Sequence, residues 1–294
     1  MVTVELPRNL AETVAHAAPA LRAWADSLPR LIDDLALRWS LDVGRPFQPG
    51  GTVSWVAPAR TAAGDHVVIK LGWPHDEARD EADGLRAWDG AGTVRLVNAT
   101  TVGETTALLL EACRPGTALS GHRSPAEQDA VVAGLLRRLW IDPPAGHPFR
   151  TLASMCYWWA DEFEAKYAAA DPARRLDPGL ARNGIAAFRS LPDSAPCSVL
   201  LCTDLHPDNV LAATREPWLV IDPKPYVGDP TYDPLQHMLN FPDRLAADPI
   251  AFVERMAGLL DLDAERLRQW AFARCVQESV GQPRLHPVVR RLAI

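Results

Sequence analysis

Along residues 9–40 apolar side chains recur at three- to four-residue spacing, through Leu21, Trp24, Leu28, Leu31, Leu35 and Trp39. That spacing lays them along one helical stripe and predicts a helical N-terminal segment with a single buried face. The pattern then changes. Residues 44–51 are rich in glycine and proline, and two short β-like runs follow, 52–57 and 66–71, separated by the turn-forming residues 60–65. Residues 75–89 predict a charged helix, and 94–97 and 105–111 predict two more strands. Residues 44–111 thus read as a small antiparallel sheet carrying one helix.

Beyond Arg114-Pro115-Gly116 the period becomes helical. Ser124-x-x-Glu127 is a capping box that opens a helix reaching about Trp140. Residues 150–170 and 176–191 predict two further helices, interrupted by short strands around 209–212 and 218–221. The rest of the chain, from Pro230, reads as helices broken at prolines. The expected fold class is α+β: a β-rich lobe over 1–113 preceded by its helix, a mostly helical lobe over 114–294, and a hinge at 114–116. The length of 294 residues agrees with two lobes better than with one core.

Composition narrows the function. Apolar residues make up 48% and charged residues 23%, as in an ordinary globular protein. The net charge of −7 argues against binding to nucleic-acid backbone and leaves room for a cationic small molecule. No apolar run reaches the roughly 18 residues of a membrane span, and the N-terminus shows no basic-then-apolar leader. The five cysteines are odd in number and form no C-x-x-C, so reduced thiols in the cytoplasm are expected. Of 30 basic residues only Lys70, Lys166 and Lys224 are lysines, which marks them as positions where a compact ammonium matters.

The densest chemistry lies in Cys202-Thr-Asp-Leu-His-Pro-Asp-Asn209, with Asp222 thirteen residues further on at the end of an apolar strand. A tight hairpin would bring Asn209 and Asp222 together. Hard oxygen donors of this kind suit Mg2+ completed by water and phosphate, and do not suit zinc. Asp204 then reads as the group that faces a substrate hydroxyl in phosphoryl transfer. The competing reading of Asp204-x-x-x-x-Asn209 is a turn stabilised by Asx caps. Lys70 ends the apolar run Val67-Val-Ile-Lys, placing its ammonium at a strand edge where it can meet nucleotide phosphates. Glu77 and Glu81 on the following helix are candidates to fix it. The alternative is a strand-end lysine reaching to water. Gly50 and Gly51 could lay N–H groups against phosphates or form a plain turn, and no P-loop signature is present.

These pieces, in this order, resemble the protein-kinase-like fold of the aminoglycoside phosphotransferases, and within it the streptomycin 6-kinase and hydroxyurea phosphotransferase branch. The stretches that carry the resemblance are LRAWDGAGTVRL (85–96), ALLLEACRPGTAL (107–119) and DLHPDNVLAATREPWLVIDPKPYVGDPTYD (204–233). The resemblance implies a bilobal enzyme that uses ATP and Mg2+. Lys70 would hold the α- and β-phosphates and Glu81 would orient it. Gly50 and Gly51, with Ser54 at the tip, would form the phosphate loop. The Glu111 carbonyl and the Cys113 N–H would meet adenine. Asp204 would be the catalytic base, Asn209 and Asp222 the Mg2+ ligands, and Asp233 the support of the catalytic loop. The family usually has His at position 202 and Gly at 203, where this chain has Cys and Thr.

A protein kinase is disfavoured, because only ten residues separate Asp222 from Asp233 and leave no room for a peptide-binding activation segment. A nucleotide-binding pseudokinase would have lost Lys70, Asp204 or Asn209, and all are present. The expected acceptor is a small, cationic molecule such as streptomycin, with hydroxyurea, another antibiotic or an amino sugar as alternatives. Asp161, Glu162 and Glu278 are candidates to line its site, the competing reading being solvated helix faces. Tyr157, Trp158 and Trp159 offer a flat wall for a sugar ring or a core stripe. The expected assembly is a monomer or a homodimer.

Overall fold

A computed structural model describes residues 4–74 and 79–293 and divides the chain into two compact units. Unit 1 comprises Met1–Gly116 with Ala213–Arg215, and unit 2 comprises Thr117–Ala212 and Glu216–Ile294.

In unit 1 the N-terminal apolar stripe forms two helices, α1 (Arg8–His16) and α2 (Pro19–Trp39). They pack on a five-stranded antiparallel sheet built from β1 (Leu41–Val43), β2 (Ser54–Thr61), β3 (His66–Gly72), β4 (Leu96–Val102) and β5 (Thr105–Glu111), in the order β1-β2-β3-β5-β4. Period-two alternation decides which residues meet the helices. Val67, Ile69 and Leu71 of β3 join Leu28, Ile32 and Leu35 of α2 in the core, so Lys70 is turned to the other face of the sheet. Trp24 of α2 pins the arrangement by donating its indole N–H to Thr105 Oγ1 at 3.0 Å. Helix α3 (Glu81–Trp88) follows β3; the expected helix began at 75, and residues 75–78, including Glu77, lie outside the described residues. Strand β4 occupies 96–102 and not the expected 94–97, because Val94 is fully buried before the strand while the pairing register runs from Leu96 to Val102.

Unit 2 is mainly helical: α4 (Pro125–Leu139), α5 (Leu152–Ala169), α6 (Pro178–Ser190), then α7 (Leu235–Leu239), α8 (Pro242–Ala247), α9 (Pro249–Leu260), α10 (Ala264–Glu278) and α11 (His286–Leu292). The capping box at the start of α4 is formed, with Ser124 N–H donating to Glu127 Oε2 at 3.0 Å. Helices α6 and α10 approach so closely that a Cβ at Gly184 would lie 2.4 Å from a Val276 methyl. Trp270 of α10 is buried edge-on against Phe188 and Tyr232 and donates its indole N–H to Asp229 at 2.7 Å. Short strands β6 (Val199–Leu201), β7 (Val210–Ala212), β8 (Trp218–Val220) and β9 (Tyr226–Gly228) pair as β6 with β9 and β7 with β8. No helix among the described residues is long and apolar enough to cross a membrane.

Candidate active site

Lys70 sits in the middle strand of the five-stranded sheet, opposite Val56 on β2 and Leu108 on β5. Its Nζ lies 2.8 Å and 2.7 Å from the two carboxylate oxygens of Glu81, the first residue of α3. Both side chains are nearly inaccessible, at 10% and 3% exposure, so little solvent screens this pair. The strand fixes where the lysine leaves the sheet, and the helix start fixes where the carboxylate meets it.

The Gly50-Gly51 segment lies between β1 and β2, and α1 braces it. Asn9 N–H donates to Pro49 O at 3.0 Å and Asn9 Nδ2 to Gly50 O at 2.7 Å. Gly50 has φ +73°, and a Cβ there would fall 2.3 Å from Pro7 Cβ, so glycine is required at that position for packing alone. Ser54 is the first residue of β2, paired with Gly72, and stands at the base of this loop and not at its tip. At the far end of β5, the Glu111 carboxylate accepts from Arg215 Nε and a terminal guanidinium nitrogen, both at 2.9 Å, and from Arg95 N–H at 3.0 Å. Burial raises the Glu111 carboxyl, but these donors outweigh it and leave the group below the usual carboxylate range. Burial pushes the Cys113 thiol up to about 11, so it stays protonated.

In unit 2 the pairing of Val210 with Val220 makes β7–β8 a tight hairpin, and Ile221 N–H donates to Asn209 O at 2.9 Å. Asn209 and Asp222 therefore stand at its two open ends. Asn209 Nδ2 donates to the Asp204 carbonyl at 3.1 Å, which commits the amide nitrogen and leaves the carboxamide oxygen as the donor it can offer a cation. Asp222 adopts φ +52°, a left-handed conformation that Asp tolerates better than most residues. No group of three or more His, Cys, Asp or Glu that could hold a metal occurs among the described residues. One carboxylate and one carboxamide fit Mg2+, which takes its remaining ligands from phosphate and water.

Asp233 anchors the loop before the hairpin. Its carboxylate accepts from Thr203 N–H at 2.6 Å, Cys202 N–H at 3.1 Å and Trp140 Nε1 at 2.9 Å, and it has no solvent exposure. Burial raises its pKa to about 6 against the pull of those three donors. The carboxylate of Asp204, two residues past Cys202, is paired with the ammonium of Lys224.

The family model for aminoglycoside/hydroxyurea antibiotic resistance kinases matches residues 38–284. The chain belongs to this family. This kinase is 37% identical to a hydroxyurea phosphotransferase of Kitasatospora aureofaciens, over 95% of the chain and 80% of that protein. It is 34% identical to a streptomycin 6-kinase of Streptomyces glaucescens, over 99% of the chain and 96% of that protein. Solved structures share its protein-kinase-like fold. Aminoglycoside phosphotransferase APH(3'')-Id from Streptomyces rimosus, in complex with ADP and streptomycin, superposes with a TM-score of 0.55 at 18% identity, covering 90% of this chain and 98% of that one. The apoenzyme of macrolide 2'-phosphotransferase from Brachybacterium faecium gives a TM-score of 0.57 at 19% identity, covering 85% and 90%.

The two departures of the kinase from the family pattern have local physical explanations. Cys202 is fully buried and its thiol is pushed well above its ordinary value by burial, so it packs and does not react. Thr203 takes φ +52°, where a β-branched residue is strained, and its Oγ1 donates to Lys224 O at 2.6 Å. The carboxylates expected at the acceptor all have cations of the chain's own. Asp161 meets Arg189 at 2.6 Å and is 74% exposed, and Glu162 meets Lys166 at 2.8 Å, which is the arrangement of a solvated helix face. Glu278 is more sheltered and is held by Arg274, a buried residue that also lies 4.3 Å over the Trp159 ring. Tyr157 and Trp158 are exposed on α5. The scarcity of lysine marks Lys224 in the sequence, as a residue able to approach the acceptor or a phosphate or to stand solvated in its loop, without pointing to Asp204 as its partner, and nothing in the sequence singles out Arg215.

Proposed function

We propose that this kinase transfers the γ-phosphate of ATP, with Mg2+, to a hydroxyl of a cationic aminocyclitol antibiotic such as streptomycin. The observation that carries this reading is the match to a streptomycin 6-kinase across 99% of the chain, in a chain that retains Lys70 with Glu81, and Asp204 with Asn209 and Asp222. Lys70, held by Glu81, binds the α- and β-phosphates, and the backbone around Gly50, Gly51 and Ser54 supports them. The Glu111 carbonyl and Cys113 N–H receive adenine. Asn209 and Asp222 would hold Mg2+, whose charge would offset that of the phosphates. Asp204 accepts the hydroxyl proton as the new oxygen–phosphorus bond forms and ADP departs. Asp233 keeps the backbone at 202–203 in place from behind. Of the candidate acceptor carboxylates, Glu278 is retained for an acceptor ammonium, because it alone is sheltered. The reaction belongs in the cytoplasm, where ATP is supplied and five free thiols persist.

Hydroxyurea is the second reading, favoured by the 37% identity to a hydroxyurea phosphotransferase. The purified protein incubated with ATP, Mg2+ and either streptomycin or hydroxyurea separates the two. ADP release that depends on streptomycin, with the phosphate located on one ring hydroxyl by 31P NMR, is the expected result. Release that depends on hydroxyurea alone selects the second reading, and release with neither rejects both.

A further inference from the structure

Lys224 follows Asp222 by two residues and sends its side chain to Asp204, where the ammonium pairs with Oδ2. Its backbone is fixed separately. The Lys224 N–H donates to Cys202 O at 2.9 Å, and its carbonyl accepts from Thr203 Oγ1 at 2.6 Å. The main chain at 224 is thus fastened to 202–203 while the side chain reaches the next residue, 204. The two charged groups are 21% and 17% exposed, so the pair is far less screened than an ordinary surface contact. The other lysines have different settings: Lys70 is buried on Glu81, and Lys166 is exposed one helical turn from Glu162.

The chemistry explains why an ammonium belongs here. Asp204 and Asp222 place two carboxylates in neighbouring loops, and a bound triphosphate adds further negative charge. A carboxylate in that surrounding is driven to rotate away unless a cation offsets it. A lysine ammonium can hold one carboxylate oxygen as a point charge, whereas the planar fork of arginine tends to engage both. With Oδ2 held, the second oxygen is the one left to accept from a hydroxyl. A loose phosphoryl-transfer transition state rewards such placement more than basicity.

We propose that Lys224 is the positioning residue for Asp204: it fixes the orientation of the carboxylate and offsets its charge beside the phosphates. The proposal rests on the reading of Asp204 as the acceptor of the hydroxyl proton. The test is steady-state kinetics of wild type, K224M and K224R with ATP, Mg2+ and whichever of streptomycin and hydroxyurea the wild type phosphorylates. Because the fastening of residue 224 is through its backbone, K224M is expected to fold, with a Tm close to that of wild type. The kcat of K224M should fall about 30-fold or more while KM for ATP stays within about threefold. K224R, which restores the charge with a different shape, should recover part of that loss. If K224M does not fold, K224R alone decides: a kcat about tenfold below wild type supports the proposal, and an unchanged kcat overturns it. A K224M enzyme with kcat within about threefold of wild type overturns it too, as does a raised KM for ATP at unchanged kcat, which would place Lys224 on the nucleotide. A wild type that phosphorylates neither acceptor overturns the reading of Asp204 and this proposal together. An active wild type with an unaffected K224M overturns the proposal alone.

Discussion

Lys70 Nζ and the Glu81 carboxylate form a doubly contacted ion pair at 2.8 Å and 2.7 Å, with both side chains almost wholly enclosed. A buried ammonium deprived of its carboxylate loses far more than an exposed one does, while replacing both partners by apolar groups removes the desolvation cost with the attraction. E81M should therefore lower unfolding free energy by about 3 kcal/mol. The double variant K70M/E81M should be more stable than E81M, although both should be inactive. Urea unfolding of wild type and the two variants checks this, and a double variant less stable than E81M would contradict the cost assigned to burying the ammonium without Glu81.

Asp233 gives a pH dependence with a definite sign. Its pKa rises from 3.8 to about 6 on folding, so between those values the folded chain holds a proton that the unfolded chain has released. The stability this supplies is complete below the lower value and is lost as pH climbs through the upper one. D233N cannot titrate there. The stability of wild type relative to D233N should fall from about pH 4 to about pH 6 and then level off. Urea unfolding of both proteins over that range measures it, and a constant difference would refute the assignment. Activity should run the other way, because only the ionised carboxylate accepts freely from Cys202 N–H, Thr203 N–H and Trp140 Nε1.

Thr203 balances strain against a hydrogen bond. Its left-handed backbone costs about 1–2 kcal/mol for a residue with a Cβ, and the bond from Oγ1 to Lys224 O returns about 1 kcal/mol. T203A keeps the strain and loses the bond, so it should destabilise by about 1–2 kcal/mol. T203G loses both and should lie within about 1 kcal/mol of wild type. Thermal unfolding of the two variants distinguishes them, and equal losses would mean that the backbone at 203 is not strained.

The elements with strong periodicity or side-chain signals were legible in the sequence. The α2 stripe, the capping box at Ser124 and Glu127, and the 209–222 hairpin all carry their pattern in consecutive residues. Strands β1, β6 and β9 were not legible: each is only three residues long and, unlike the equally short β7 and β8, none is joined to its partner by a short turn that would signal a hairpin. The partners of the site residues were hidden for a related reason. Arg215 reaches Glu111 across 104 positions and Asp233 reaches Thr203 across 30, and no local spacing announces a contact of that range. The cation beside Asp161 was hidden in the same way: it is Arg189 on α6, 28 positions away, whereas Glu162 meets Lys166 one turn along its own helix.

In the proposed reaction Asp204 accepts the proton of an acceptor hydroxyl while the phosphoryl group leaves ADP. Single-turnover transfer from ATP to the preferred acceptor by wild type and D204A, with ATP affinity measured alongside by calorimetry, tests it most directly. The expected result is transfer slowed by about a thousandfold or more in D204A, with ATP affinity within about threefold of wild type. Transfer by D204A within about tenfold of wild type would contradict the account.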